Sequence, residues 1–224
     1  YEAGAFFLYR TDGIINTQNE LDVYRESLQP GAGDVFQLGD VKYVDTNGDW
    51  LIIEAERVYM GSWRPDLVIG VNTDLKYNQF DLSMMWFASV GNEVINGSKG
   101  ISYVYETSRD LLNQWSIANP DAPVAAFRGN QHANVSPFLD TWLEDGSFVR
   151  LRNVTLGYTL PKNLLDKISL EKLRIYVSAQ NPLTITRYSG YDPEVGGDGL
   201  ATRGLDRGNY PISIVYRGGI QIDF

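Results

Sequence analysis

Two residues, Asn78 and Gln79, separate two stretches in which every second position is apolar. In DLVIGVNTDLKY, Leu67, Ile69, Val71, Thr73, Leu75 and Tyr77 share one face of an extended chain, and Val68, Gly70, Asn72, Asp74 and Lys76 share the other. After the two-residue break the pattern restarts: Phe80, Leu82, Met84, Trp86, Ala88 and Val90 alternate with Asp81, Ser83, Met85, Phe87 and Ser89. A period of two sustained on both sides of so short a break specifies a β-hairpin. Its arms are long enough to cross a bilayer, which takes about 9 to 11 residues of tilted strand.

The same design recurs. VTLGYTLP sets Val154, Leu156, Tyr158 and Leu160 against Thr155, Gly157 and Thr159, and KLRIYVSAQ sets Leu173, Ile175, Val177 and Ala179 against Arg174, Tyr176, Ser178 and Gln180. ISIVYRGGIQIDF alternates from Ile212 to Phe224. In SFVRLRN, however, Val149 and Leu151 lie on the opposite phase from Val154 and Leu156, so a β-bulge near Arg152 and Asn153 is expected. The connections differ in length. Asn78-Gln79 and PKNLLDKISLE are short or moderate, whereas residues 91–147 and 183–211 are long, aromatic and rich in Gly, Asn, Asp and Pro.

Short turns at one end of an antiparallel meander and long loops at the other are the arrangement of an outer-membrane barrel, with an apolar stripe toward lipid and a polar lumen. The expected fold is all-β: strands of an antiparallel transmembrane barrel within residues 66–224, preceded by a loop region over residues 1–65. These strands are too few to close a barrel, whose smallest members have about eight, so further strands are expected from outside this sequence. The chain also begins inside what reads as a structured segment. By phase, Asn72, Asp74, Lys76, Asp81, Ser83, Arg174, Tyr176 and Gln180 face the lumen. Alternation alone is equally compatible with a soluble β-sandwich, in which the apolar stripes meet a protein core and the phases invert. A soluble extracellular carbohydrate-binding module is a further reading of the same aromatic loops.

Composition removes several functions. The 224 residues are 43% apolar, too many for a disordered chain. There is no cysteine, hence no disulfide, thiolate metal site or cysteine nucleophile, and zinc has one histidine to bind, His132. A net charge of −9 with scattered cations argues against nucleic acid. No apolar run is long enough for a membrane-spanning helix, and YEAGAFFLYR lacks the pattern of a signal peptide.

The stretches FFLYRTDGIINTQNEL, GAGDVFQLGDVKYVDTNGDW, DLKYNQFDLSMMWFASVGNEVING, SFVRLRNVTLGYTLPKNLL and LRIYVSAQNPLTITRYSGYDPEV, in this order, resemble the C-terminal part of SusC/RagA-type TonB-dependent transporters of Bacteroidetes. RLRNVTLGYTLP followed by AQNPLTIT and YSGYDPE is the specific portion. The resemblance implies an N-terminal plug inside a barrel of about 22 strands, located in the outer membrane. It implies import of a glycan or peptide together with a SusD-like surface lipoprotein, coupling to TonB through a plug that this chain lacks, and no enzymatic activity. It also implies that Phe224, the terminal aromatic, is part of a barrel-insertion signal.

Residues 44–57, VDTNGDWLIIEAER, look like an edited calcium loop. Asp45, Asn47, Asp49 and Glu56 fall at positions 1, 3, 5 and 12 of an EF-hand-type loop, and Leu51 supplies a carbonyl at position 7. Trp50 stands where the sharp turn favours glycine, and Ile53 gives up an oxygen at position 9, so weakened binding is expected. The competing reading is an Asx-rich turn. The relatives implied by the resemblance commonly carry glycine at the Trp50 position. Tyr103, Tyr105, Trp115 and Trp142 are candidates for contact with substrate or partner. His132 lacks triad partners and reads as a loop hydrogen-bonding residue, and Asp140, Glu144 and Asp145 read as solvated surface. The glycines of EVGGDGLATRG read as turn residues.

Overall fold

A computed structural model describes residues 4–165, 170–195 and 202–224. In chain order its regular elements are β1 (Ala5–Tyr9), β2 (Thr11–Ile14), α1 (Gln18–Glu26), β3 (Val41–Tyr43), β4 (Arg57–Ser62), β5 (Leu67–Tyr77), β6 (Phe80–Val90), β7 (Glu93–Ile95), α2 (Gly97–Val104), β8 (Leu143–Asp145), β9 (Phe148–Thr159), α3 (Lys162–Leu165), β10 (Lys172–Thr186) and β11 (Val215–Asp223). Two compact units emerge. One gathers residues 1–63, 93–144 and 195–209, and the other gathers 64–92, 145–194 and 210–224. The expected loop region therefore does not stand alone, because residues 93–144 of the long loop condense with it.

The first unit is an irregular assembly around a main apolar core, with a smaller cluster of Trp115, Ala122 and Ala126 beside it. Its small sheets pair β1 with β4 and β2 with β3. Helix α1 begins in a capping box: Thr17 Oγ1 accepts the Glu20 N–H at 3.2 Å, and Glu20 Oε2 accepts the Thr17 N–H at 3.1 Å. That reciprocal pair satisfies donors a short helix would otherwise leave open, and sets Leu21 and Tyr24 into the core with Ile15, Phe36, Tyr43 and Leu139.

The second unit is a single five-stranded antiparallel sheet in the order β11-β10-β9-β6-β5. The hairpin break at Asn78-Gln79 is present, with Asn78 in the left-handed region at φ 53°. The expected bulge is present as well. Met85 pairs with Asn153 and Trp86 with Leu151, which leaves Arg152 as the extra residue. Strand β10 answers with Asn181 and Pro182 between the pairs Gln180–Asn153 and Leu183–Leu151. The slip returns Val149 and Leu151 to the face of Val154 and Leu156.

Two expectations shift at the margins. The last strand starts at Val215 rather than Ile212 and ends at Asp223, with Phe224 beyond it and exposed. Gly196, Gly197 and Gly199 of the glycine-rich stretch lie outside the described residues, whereas Gly204 adopts φ 74° in a turn.

Candidate functional site

Register sorts the side chains of the sheet into two chemistries. One face carries rows such as Tyr77–Phe80–Tyr158–Ile175–Ile220 and Leu75–Leu82–Leu156–Val177–Gly218. Leu67, Ile69, Val71, Leu75, Tyr77, Phe80, Ile175, Val177 and Ile220 on this face are between 42% and 78% exposed. Among the described residues these side chains make one face of the sheet apolar along its length. Aromatic residues gather at its short-turn end, where the Phe80 and Tyr158 rings lie 4.9 Å apart beside Tyr77, as in the aromatic girdle of a membrane barrel.

The opposite face holds every residue the phase assigned to it. Its rows run Lys76–Asp81–Gly157–Tyr176–Gly219, Asp74–Ser83–Thr155–Ser178–Arg217 and Asn72–Met85–Asn153–Gln180–Val215, with Arg174 between Thr159 and Gln221. Arg174 forks across β9 to Asp81, with Nε to Oδ1 at 2.9 Å and Nη2 to Oδ2 at 2.5 Å. It passes over Gly157, where a Cβ would lie 2.5 Å from Arg174 Nε and 2.6 Å from Asp81 Oδ1. The Tyr176 ring likewise covers Gly219, at 2.5 Å from a Cβ there. Both glycines let large side chains lie flat against the wall.

At the other end of this face is a network that the sequence reading did not assign. Arg150 is 2% exposed, and donates from Nε to Thr184 Oγ1 at 2.9 Å, from Nη1 to Glu194 Oε2 at 2.8 Å and from Nη2 to Asp192 Oδ1 at 2.6 Å. Arg152 reaches Glu194 Oε1 at 2.6 Å. Asp192 also accepts the N–H groups of Glu194 and Ile212. Partial burial pulls the Asp192 carboxyl pKa up, and these N–H groups with the Arg150 guanidinium pull it further down, below the usual carboxylate range. The available signal was the pair of arginines flanking a phase slip, followed by the acidic YDPE; the connection between them spans about 40 residues and left no local pattern.

The acidic loop closes as a tight turn on its own backbone. Trp50 adopts φ 66°, so the left-handed turn at position 6 forms despite the indole. Asp45 accepts the Gly48 N–H on Oδ1 at 2.7 Å and the Trp50 N–H on Oδ2 at 2.8 Å. Desolvation raises the Asp45 pKa, but the N–H donors of Trp50, Gly48, Asn47 and Asp49 outweigh it and hold the carboxylate ionised below its ordinary value. Glu56 is fully buried, and its Oε2 accepts the Thr46 N–H at 2.5 Å. One oxygen each from Asp45, Asp49 and Glu56 lie within 4.8 Å of one another, as oxygens about 2.4 Å from a common calcium would. Asn47 is turned otherwise. Its Nδ2 donates to Glu56 Oε1 at 2.5 Å and to Asp49 Oδ2 at 3.2 Å, while Oδ1 accepts the Asp49 N–H. Leu51 N–H donates to Asp49 Oδ1 at 2.9 Å. The amide thus contacts two carboxylates a cation would bridge, and a half-turn of Asn47 about its last torsion presents its oxygen instead.

The aromatic candidates require correction. Tyr103, Trp115 and Trp142 are 8%, 9% and 3% exposed and belong to the apolar interior. Tyr103 stands edge-on to Trp142 at 5.1 Å and donates to Asp110, Trp142 Nε1 donates to the Ser136 carbonyl at 2.8 Å, and Trp115 packs on Gly39 and Ala126. Their apolar area serves the core of a loop region lacking long secondary structure. Tyr105, 71% exposed, remains a surface residue. His132 accepts the Asn134 N–H on Nδ1 at 3.2 Å, the local role read for it. Of the carboxylates read as solvated surface, Asp145 is exposed and accepts the local Ser147 N–H, whereas Asp140 and Glu144 are half-buried and accept from Thr11 and Asn96.

Comparison with known proteins agrees with the geometry. TonB-dependent receptor P3 of Formosa agariphila is 33% identical over 99% of this chain and 22% of its own length. TonB-dependent receptor SusC of Bacteroides thetaiotaomicron is 26% identical over the whole chain and 20% of its own length. The RagAB peptide transporter structure superposes with a TM-score of 0.75 at 24% identity, over 98% of this chain and 23% of the matched one. No family model matches. The chain spans about a fifth of the length of these relatives.

Proposed function

We propose, for a chain that belongs to the SusC/RagA type of TonB-dependent receptors in the outer membrane, that the complete protein imports a glycan or peptide nutrient. In this reading the segment supplies part of the barrel wall. Its apolar face meets lipid, its polar face lines the lumen, and the loops meet cargo and a SusD-like surface lipoprotein. Import draws on TonB through a plug contributed by the rest of the protein. The observation that carries the reading is the sheet's two-faced chemistry, apolar and aromatic on one side and ion-paired on the other. Transport needs no catalytic group, and the relatives are named as receptors and a transporter.

The test is uptake by cells expressing the complete protein with its lipoprotein partner. Fluorescent oligosaccharides and peptides supplied separately should give accumulation of one class that disappears without TonB. Accumulation of neither class, or accumulation indifferent to TonB, contradicts the proposal.

We further propose that Asp45, Asp49 and Glu56, with Asn47 Oδ1 and the Leu51 carbonyl, hold a calcium ion that stiffens the loop. The clustering of three carboxylates and the left-handed backbone at Trp50 support it. Terbium, a calcium surrogate, should luminesce on excitation of the neighbouring Trp50 in the complete protein. Calcium should quench that signal, and Asp49→Ala should weaken it at least tenfold. A signal unchanged by calcium or by Asp49→Ala would identify an Asx-rich turn without an ion.

A further inference from the structure

We propose that a cavity of about 750 Å³ in the first unit binds a polypeptide segment. It would seat one uncharged apolar side chain against the exposed aliphatic side chains of Val35 and Ile53 while rim amides bond the flanking main chain. The volume suits a ligand of a few residues. Phe36 and Tyr43 form part of the floor, and Val35 and Ile53, 69% and 47% exposed, give it an aliphatic lip.

The lining discriminates among ligand classes. Sugar rings stack on a free aromatic face. Here Phe36 and Tyr43 are 7% and 5% exposed, Tyr24 stands edge-on to Phe36, and the Arg57 guanidinium lies 5.2 Å from the centroid of the Tyr9 ring. Among the described residues neither lysine nor arginine lines the cavity, so a charged side chain would find no counter-ion there. Its carboxylate, Asp40, is already engaged by Arg128 Nε at 2.7 Å, Asn134 Nδ2 at 3.0 Å and the Gln37 N–H at 2.8 Å. An apolar group is what remains.

The polar rim suits a peptide backbone. Asn130 and Gln131, both exposed on this rim, each offer a donor and an acceptor in one amide, the pairing that an extended main chain presents. His132 accepts on Nδ1, so its neutral form carries the proton on Nε2 and adds a donor. Leu51, Ile52 and Ile53, which follow directly from the acidic loop, form another wall, so the order of that loop shapes the cavity.

This inference deepens the importer reading and rests on it only in treating the peptide as cargo. The complete protein, purified in detergent, is titrated with three probes: acetyl-Gly-Leu-Gly-amide, acetyl-Gly-Asp-Gly-amide and maltotriose. The leucine peptide should bind at least tenfold more tightly than the other two. Ala133→Trp, which fills the cavity from an exposed position, and Val35→Asp, which charges its lip, should each weaken that binding at least tenfold without lowering the unfolding temperature. Absent leucine-peptide binding, equal binding of maltotriose, or binding indifferent to both variants overturns the site. TonB-dependent import without such binding rejects the cavity and leaves the importer reading intact; binding without import of any cargo does the reverse.

Discussion

Arg150 joins strand β9 to the segment that follows β10, and its burial makes the pairing consequential. Removing Arg150 leaves Asp192, 13% exposed, with only its N–H donors, while Glu194, 37% exposed, keeps Arg152, so the loss should stay below that of a fully buried pair, about 3 to 5 kcal/mol. Arg150→Met in the complete protein should therefore lower its unfolding temperature clearly, read by the heat-dependent shift of folded barrels on gels, and Arg152→Met, whose side chain is more exposed, should lower it less. The network has a pH signature. Because Asp192 is held below its ordinary pKa, its contribution to stability is present above the unfolded value of about 4 and fades as pH falls through the folded one. A wild-type protein that loses stability in that acid window, beside an Arg150→Met variant that loses less, is the expected result. Parallel losses in both would show that Asp192 draws its shift from elsewhere.

Among the elements, strands β5, β6, β9 and β10 were legible because alternation records which side of a sheet each residue occupies, and a two-chemistry sheet writes that record strongly. Even the bulge at Arg152 was readable as a slip in phase. The loop aromatics were not. Tyr103 and Trp142 carry no local mark distinguishing a core partner from an exposed platform, since their burial depends on residues 9–43 folding against 103–142. Nor did the sequence reveal that Gly157 and Gly219 are spaces beneath Arg174 and Tyr176, because the overlying residues come from another strand. Gly157→Val should displace the Arg174–Asp81 fork and reduce the yield of folded barrel, whereas Gly70→Val, on the same face with open space around it, should be tolerated. Equal yields would show that the fork tolerates a side chain beneath it. At the end of β11, deleting Phe224 should reduce outer-membrane insertion more than synthesis, measured by fractionation. Unchanged insertion would reject a signalling role for this exposed residue.

For the molecule as a whole, everything depends on which face of the sheet meets lipid. Energetically, Val177→Arg should cost about 2 to 4 kcal/mol near the bilayer midplane while Ser178→Arg is tolerated better. Stability alone, however, reports cost and not environment. The absence of cysteine from these 224 residues allows a direct probe, since single cysteines introduced here add no competing thiol within the segment. Spin labels placed in turn at Leu156, Ile175 and Val177, and at Thr155, Tyr176 and Ser178, in the complete protein reconstituted into lipid, can be challenged with lipid-soluble oxygen and with a water-soluble nickel complex. A membrane wall predicts that oxygen relaxes the first three labels and the nickel complex does not, with the preference lost or reversed at the second three. Uniform access of the nickel complex to all six, or oxygen preference at Thr155, Tyr176 and Ser178, would contradict it.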